Sequence, residues 1–229
     1  MKTLFTLGLF SALFCAVVLG QAMRGKQGVA ALPAPRLDQK VQDFEVTDAS
    51  LIDALSALSS NSIENLHLGI EQLLRNRLSD PEDRSVLFSL HLKNETVRNI
   101  LDAVCRLDAR YAWSTDGSSI NIYPRAIVSD PSYLLNLQLQ QITLTDIPDP
   151  DKMFSPLHKQ LPREELGYIQ TGGDISYTEP WTVTFEHLTV RQLINRVAEH
   201  LGPRSSWIFH GTKSERLFTF QKGAFHTHK

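Results

Sequence analysis

Cysteine is nearly missing from this chain. There are two, Cys15 and Cys105, and the first lies in an apolar run at the start, so no internal disulfide is expected. An exported domain under about 80 residues would often need such staples, whereas roughly 200 residues can bury sizeable cores without them. Cys105 falls on the apolar side of a predicted helix and reads as a small buried hydrophobe; a reactive or intermolecular thiol is the weaker reading. An excess of one charge is also missing. Setting Lys2 aside, 22 Lys and Arg face 25 Asp and Glu, 12 against 15 up to residue 130 and 10 against 10 beyond it. With no basic field in either half, nucleic acid and anionic lipid are excluded as electrostatic partners.

Chemical signatures are sparse as well. The sequence holds no His-Glu-x-x-His, no cysteine pair, no Gly-x-Ser-x-Gly elbow and no glycine-rich phosphate or dinucleotide loop,. Glu164 and Glu165 are adjacent and diverge on any regular element, which makes them a poor acid/base pair. His226 and His228 could hold a metal weakly, but a solvated tail is the simpler reading of residues 224–229. The expectation is therefore no catalytic residue, no cofactor and no metal, and the chain is read as a non-enzyme.

What is present begins with Met1-Lys2 and the apolar stretch Leu4–Leu19, closed by Gly20-Gln21-Ala22. This pattern predicts a signal peptide over 1–22, cleaved after Ala22, since the run falls short of the roughly 20 residues needed to span a bilayer. An uncleaved anchor is the competing reading. Export to the periplasm or outside the cell follows, with no transmembrane segment left after cleavage. Residues 23–41, with Pro33 and Pro35, read as a linker.

From Gln42 the pattern becomes regular. Phe44 and Val46 alternate with polar residues as in a half-buried strand. Ser50 caps a helix with its stripe on Leu51, Ala54, Leu55 and Leu58. "NLHLGIEQLL" predicts a second strand with Leu66, Leu68 and Ile70 on one face. Phe88, Leu90 and Leu92 alternate in a third. Thr96 then caps a helix carrying Val97, Ile100, Leu101 and Val104, and "RYAWS" and "SINIYPR" form a hairpin around Asp116-Gly117. The second half reads similarly: Leu135 to Leu144 alternate, Asp149 or Asp151 caps a short helix through Met153, Leu157 and Leu161, and "ELGYIQTGG" predicts a strand. Trp181, Val183 and Phe185 share a face, Thr189 and Gln192 make a capping box, and "SSWIFHG" and "RLFTFQK" close a last hairpin. At an offset of 93, Thr96-Val97-Arg98 falls on Thr189-Val190-Arg191, and Phe88, Leu90 and Leu92 fall on Trp181, Val183 and Phe185. The fold expected is α+β, built of two-helix modules of βαββαββ type with short mixed sheets, repeated in tandem over 42–126 and 134–223.

The unit "FSLHLKNETVRNILDAVCRLDARYAWSTDGSSINIYPR" resembles the short N-terminal (STN) domain of secretins and TonB-dependent receptors, through Leu90, Leu92, Asn94, Thr96, Ile100, Leu101, Tyr111, Trp113, Ile120 and Ile122. The resemblance covers about 42–125, and 134–222 only through its last part. It implies a periplasmic protein-interaction module that docks a cell-envelope protein, either a secretion-system component or a transmembrane regulator. Exposed strand edges suit that task, and "SINIYPR", closed by Pro124, is expected to be such an edge. Leu90, Leu92, Arg98, Ile120, Ile122 and Arg191 are the candidate partner-binding residues. The tryptophans, Trp113, Trp181 and Trp207, read as core packing. A small-ligand or glycan binder is the runner-up, and a hydrolase ranks third.

Overall fold

The computed structural model describes residues 34–61, 63, 65–73, 86–161, 179–212 and 216–222. All of them fall in one compact unit, Ala31–Lys229. The predicted signal peptide, most of the linker, the strand expected at "ELGYIQTGG", Glu164-Glu165 and the histidine tail lie outside the described residues. The fold is α+β. Its first half runs β1 (Lys40–Ala49), α1 (Leu51–Ser60), β2 (His67–Glu71), β3 (Phe88–Thr96), α2 (Val97–Leu107), β4 (Tyr111–Asp116) and β5 (Ser119–Pro124). The second runs β6 (Gln138–Ile147), α3 (Phe154–His158), β7 (Trp181–Thr189), α4 (Val190–His200), β8 (Ser206–Gly211) and β9 (Arg216–Gln221). Among the described residues no helix is long and apolar enough to cross a membrane.

Local chemistry accounts for the helix starts. The Ser50 hydroxyl accepts from the Asp53 backbone N–H while the Asp53 carboxylate accepts from that of Ser50, so two donors orphaned at the helix start are satisfied reciprocally. Thr189 and Gln192 do the same for α4. Thr96 caps α2 through the Asn99 N–H, and Asp149 accepts from Lys152 N–H ahead of α3. The stripes expected on α1 and α2 are buried, and so are Val190, Leu193, Ile194 and Val197 of α4.

β1 pairs antiparallel with β3, and β6 with β7, as two separate ribbons. In β1 the buried positions are Val41, Phe44, Val46 and Ala49, and in β6 they are Leu139, Ile142, Leu144 and Ile147. Spacing of three at each end of these strands departs from strict alternation. The ladder slips between Val46 and Ala49 and between Leu144 and Ile147, beside Asp48 and Asp146, both at positive φ, and such a slip returns the next apolar side chain to the core face. Ser89 Oγ accepts the Asp48 N–H at 3.1 Å, and Thr182 Oγ1 accepts the Asp146 N–H at 2.9 Å. The amide that opens α2 donates to Gln39, and the one that opens α4 donates to Leu137.

The third sheet joins the halves. Its order is β4-β5-β2-β8-β9, with β2 parallel to β5 on one side and to β8 on the other. Strand alternation then sends side chains to opposite faces. Leu68, Ile70, Ile120, Ile122, Tyr111 and Ile208 enter the first core with α1, α2 and the β1-β3 ribbon. Trp207, Phe209, Phe218 and Phe220 enter the second, with α3, α4 and the β6-β7 ribbon. The layers are ribbon, helices, central sheet, helices, ribbon. β2 is buried along its whole length because it is covered on both faces, as parallel central strands are.

Two expectations change here. Beside its own ribbon, each half contributes to one shared sheet, in which β2 of the first extends the hairpin of the second. β5 is not an edge, since its residues pair with β4 on one side and with β2 on the other, and Pro124 lies at its last position.

Candidate functional site

The shared sheet creates a buried polar seam facing α4. Glu71, at the end of β2, is fully buried and receives two charge-assisted bonds from Arg191, Nε to Oε1 at 2.5 Å and Nη2 to Oε2 at 3.0 Å. Arg191 Nη1 reaches Asn136 Oδ1 at 2.7 Å, and its guanidinium lies over the Tyr123 ring. Burial lifts the Glu71 carboxyl above its usual range against the opposing pull of Arg191,. The Arg191 guanidinium is held charged by Glu71 despite its own burial.

A second cluster ties the β4-β5 turn to α4. Glu199 accepts from Ser118 at 2.5 Å, from Ser119 at 2.9 Å and from Arg196. Asp116 accepts from Asn195 and Arg196, and Asn195 Oδ1 accepts the Trp207 indole N–H at 2.8 Å. Gly117 in this turn has φ +61°, and a Cβ there would stand 2.6 Å from Arg196 Nη1, so glycine answers both the backbone and the close approach. His67 completes the seam. Its Nδ1 lies 2.9 Å from Ser205 Oγ, and Ser205 already donates to the Ala198 carbonyl, so Nδ1 carries the proton and donates. Burial holds the imidazole below its ordinary pKa.

The seam is a fastening and is closed to partners; β4 and β9 are the outermost strands of the sheet among the described residues. Arg125 N–H donates to the Arg110 carbonyl at 2.8 Å, which sets the antiparallel alternation between β4 and β5. Ala112, Ser114 and Asp116 turn their main-chain groups to β5, and Trp113 and Thr115 turn theirs outward. No described strand pairs with that edge. At the other end, Gln72 N–H donates to the Phe209 carbonyl. Phe209 thus faces β2, and Phe218 and Phe220 of β9 turn their main chain outward while their side chains stay buried.

The candidate partner residues are dispersed. Leu90 and Leu92 are half-buried on β3 against the first core. Ile120 and Ile122 are fully buried on β5, because both of its ladders are used and α1 and α2 cover its apolar face. Arg191 is spent on Glu71. Arg98 is exposed at the start of α2, with its guanidinium 5.7 Å from the centroid of Trp113, whose indole N–H donates to Asp102 at 2.8 Å. Trp207 is a core residue, and Trp113 and Trp181 pack on the two cores while keeping some exposure. Cys105 is buried and its thiol is pushed up to about 12, which keeps it protonated and unreactive.

Sequence reasoning missed Glu71 and the β4 edge. The signal for the first is Gly69: a Cβ there would meet the Trp207 ring at 2.5 Å and Asn121 Oδ1 at 2.7 Å, so its missing side chain marks close packing of β2 on a second element. Comparison with protein families, curated proteins and solved structures gave no match.

Proposed function

We propose that the chain is an exported cell-envelope module, similar to the short N-terminal domains of secretins and TonB-dependent receptors, that docks another envelope protein by strand addition. The observation that carries this reading is the outer edge of β4, where Trp113 and Thr115 present N–H and C=O groups with no strand beside them among the described residues. A partner strand would gain a main-chain ladder there at little ordering cost to the sheet, which β5, β2 and α4 already hold. The reading takes the halves as two copies of one module. The paired ladder slips, positive-φ aspartates, hydroxyl contacts and helix-opening bonds support that, and the first half orders its strands as a ribbon plus a three-stranded sheet around two helices. It places the protein in the periplasm and assigns it no catalytic step.

A second reading has its own observation. Trp181 stacks on His200 at 4.1 Å and 13° and meets Phe185 edge-on at 5.6 Å. This partly exposed aromatic group would suit a sugar ring or another flat ligand.

The test is a photo-cross-linking residue at Ser114, on β4, with a control at Thr143, on the face of the β6-β7 ribbon, in cells making the whole chain. The docking reading predicts one envelope protein captured from Ser114 and not from Thr143. Capture from neither, together with glycan binding lost in Trp181→Ala, would replace it with the ligand reading.

A further inference from the structure

We propose that the β4 edge takes an acidic extended segment, its carboxylates directed to the arginines beside the strand; this rests on the docking reading above and specifies the partner's chemistry. The charges around β4 divide unevenly. Every carboxylate here is engaged: Asp102 accepts the Trp113 indole, Asp108 is held by Arg110, and Asp116 is held by Arg196 and Asn195. Arg98, Arg106 and Arg125 are exposed, and none of them has a carboxylate partner among the described residues. Arg98 and Arg106 flank Asp102 at spacings of four, which places all three on one stripe of α2. Trp113 reaches that stripe from β4 through Asp102 and Arg98.

A strand added to β4 alternates its side chains between the two faces of the sheet. Those on the α2 face pass Trp113 and Arg98. Apolar groups there gain contact with the indole, and carboxylates gain a charge-assisted bond to the Arg98 guanidinium, which makes no ion pair among the described residues. A basic segment would meet like charge at Arg98 and Arg106, while Asp102 between them is already engaged by the Trp113 indole.

The experiment uses the chain from residue 23 onward and a short labelled peptide of alternating Glu and Val, with binding read by fluorescence anisotropy. The controls are the matching Lys and Val peptide and an acidic peptide N-methylated on alternate residues. The acidic probe should bind about tenfold or more tighter than the basic one, as fits a change of charge sign at a rim contact. N-methylation should abolish binding, because it removes the ladder donors. Arg98→Glu should erase the acidic preference. Thr115→Pro should weaken every probe, since position 115 turns its N–H outward and proline costs no internal bond there. If Thr115→Pro fails to fold, the N-methylated peptide on the unaltered chain reports the same requirement. Equal binding of acidic and basic probes, indifference to N-methylation, or no binding of any probe would each overturn the inference. The docking reading itself stands or falls on capture from Ser114, so the two failures are distinguishable.

Discussion

At the scale of single residues, the feature that decides most is a carboxylate buried where no carboxylate would choose to be. Glu71 has no exposed surface, and burial raises its pKa above the 4.5 of a free side chain. Such a pair is a poor source of net stability but a costly one to break. Arg191→Met should therefore lower stability by about 3–5 kcal/mol at neutral pH, the cost of stranding a buried charge. With the arginine gone, Glu71 binds its proton more tightly in the folded chain than in the unfolded one. Its contribution is then favourable below about pH 4.5 and is lost as pH rises through the higher folded value. Chemical denaturation across pH should show the deficit of the variant shrinking as the solution is acidified. Glu71→Leu combined with Arg191→Leu should recover most of the loss. Arg98 and Arg191 stand at equal positions in their helices, and that equivalence was legible. What each one meets was not, because the carboxylate opposite Arg191 comes from a strand 120 residues away.

Among the elements, β2 has the largest role for its length. Five residues serve as the middle strand of a sheet drawn from both halves, and Gly69 lets the Trp207 ring lie against its backbone. Gly69→Ala should destabilise the protein by about 1–3 kcal/mol or more, because a methyl group enters a space already filled by a buried indole. Denaturant midpoints should show the same substitution costing less in a Trp207→Leu background, since neighbours in contact do not add. Helix caps, apolar stripes and hairpins were readable because they are local. Ser50, Thr96 and Thr189 each satisfy orphaned amides within three residues. The edge status of β5 was misread because it depends on β2, roughly 50 residues away, and pairing choice between like strands leaves little trace in alternation. Leu68 and Ile70 were correctly placed on one face. That the opposite face of β2 is buried too follows from Trp207 and α4, and the polar contacts of α4 with Glu71, Ser118 and Ser119 give no apolar signal.

For the whole molecule, the account turns on the halves being one body. Two separate modules would each leave both outer strands of a small sheet open. Sharing β2 removes the inner edges of both hairpins and leaves β4 and β9 as the ends, among the described strands, of a longer, stiffer sheet, which is the condition for a docking edge that does not first have to be ordered,. The α+β class of the fold was legible in the sequence; the fusion of its halves was not, since it is written in the packing of Gly69 on Trp207 and of Gly117 on Arg196. The most direct test is native-state hydrogen exchange of the whole chain with Leu101→Asp, a charge placed in the fully buried core of the first half, more than 90 residues from β8. The account predicts that amides of Phe209 and Ile208 in β8 lose protection together with those of Leu68 and Ile70 in β2, and that melting stays a single transition. Full protection of β8 with a second, separate melting step would contradict it and return the chain to two independent modules.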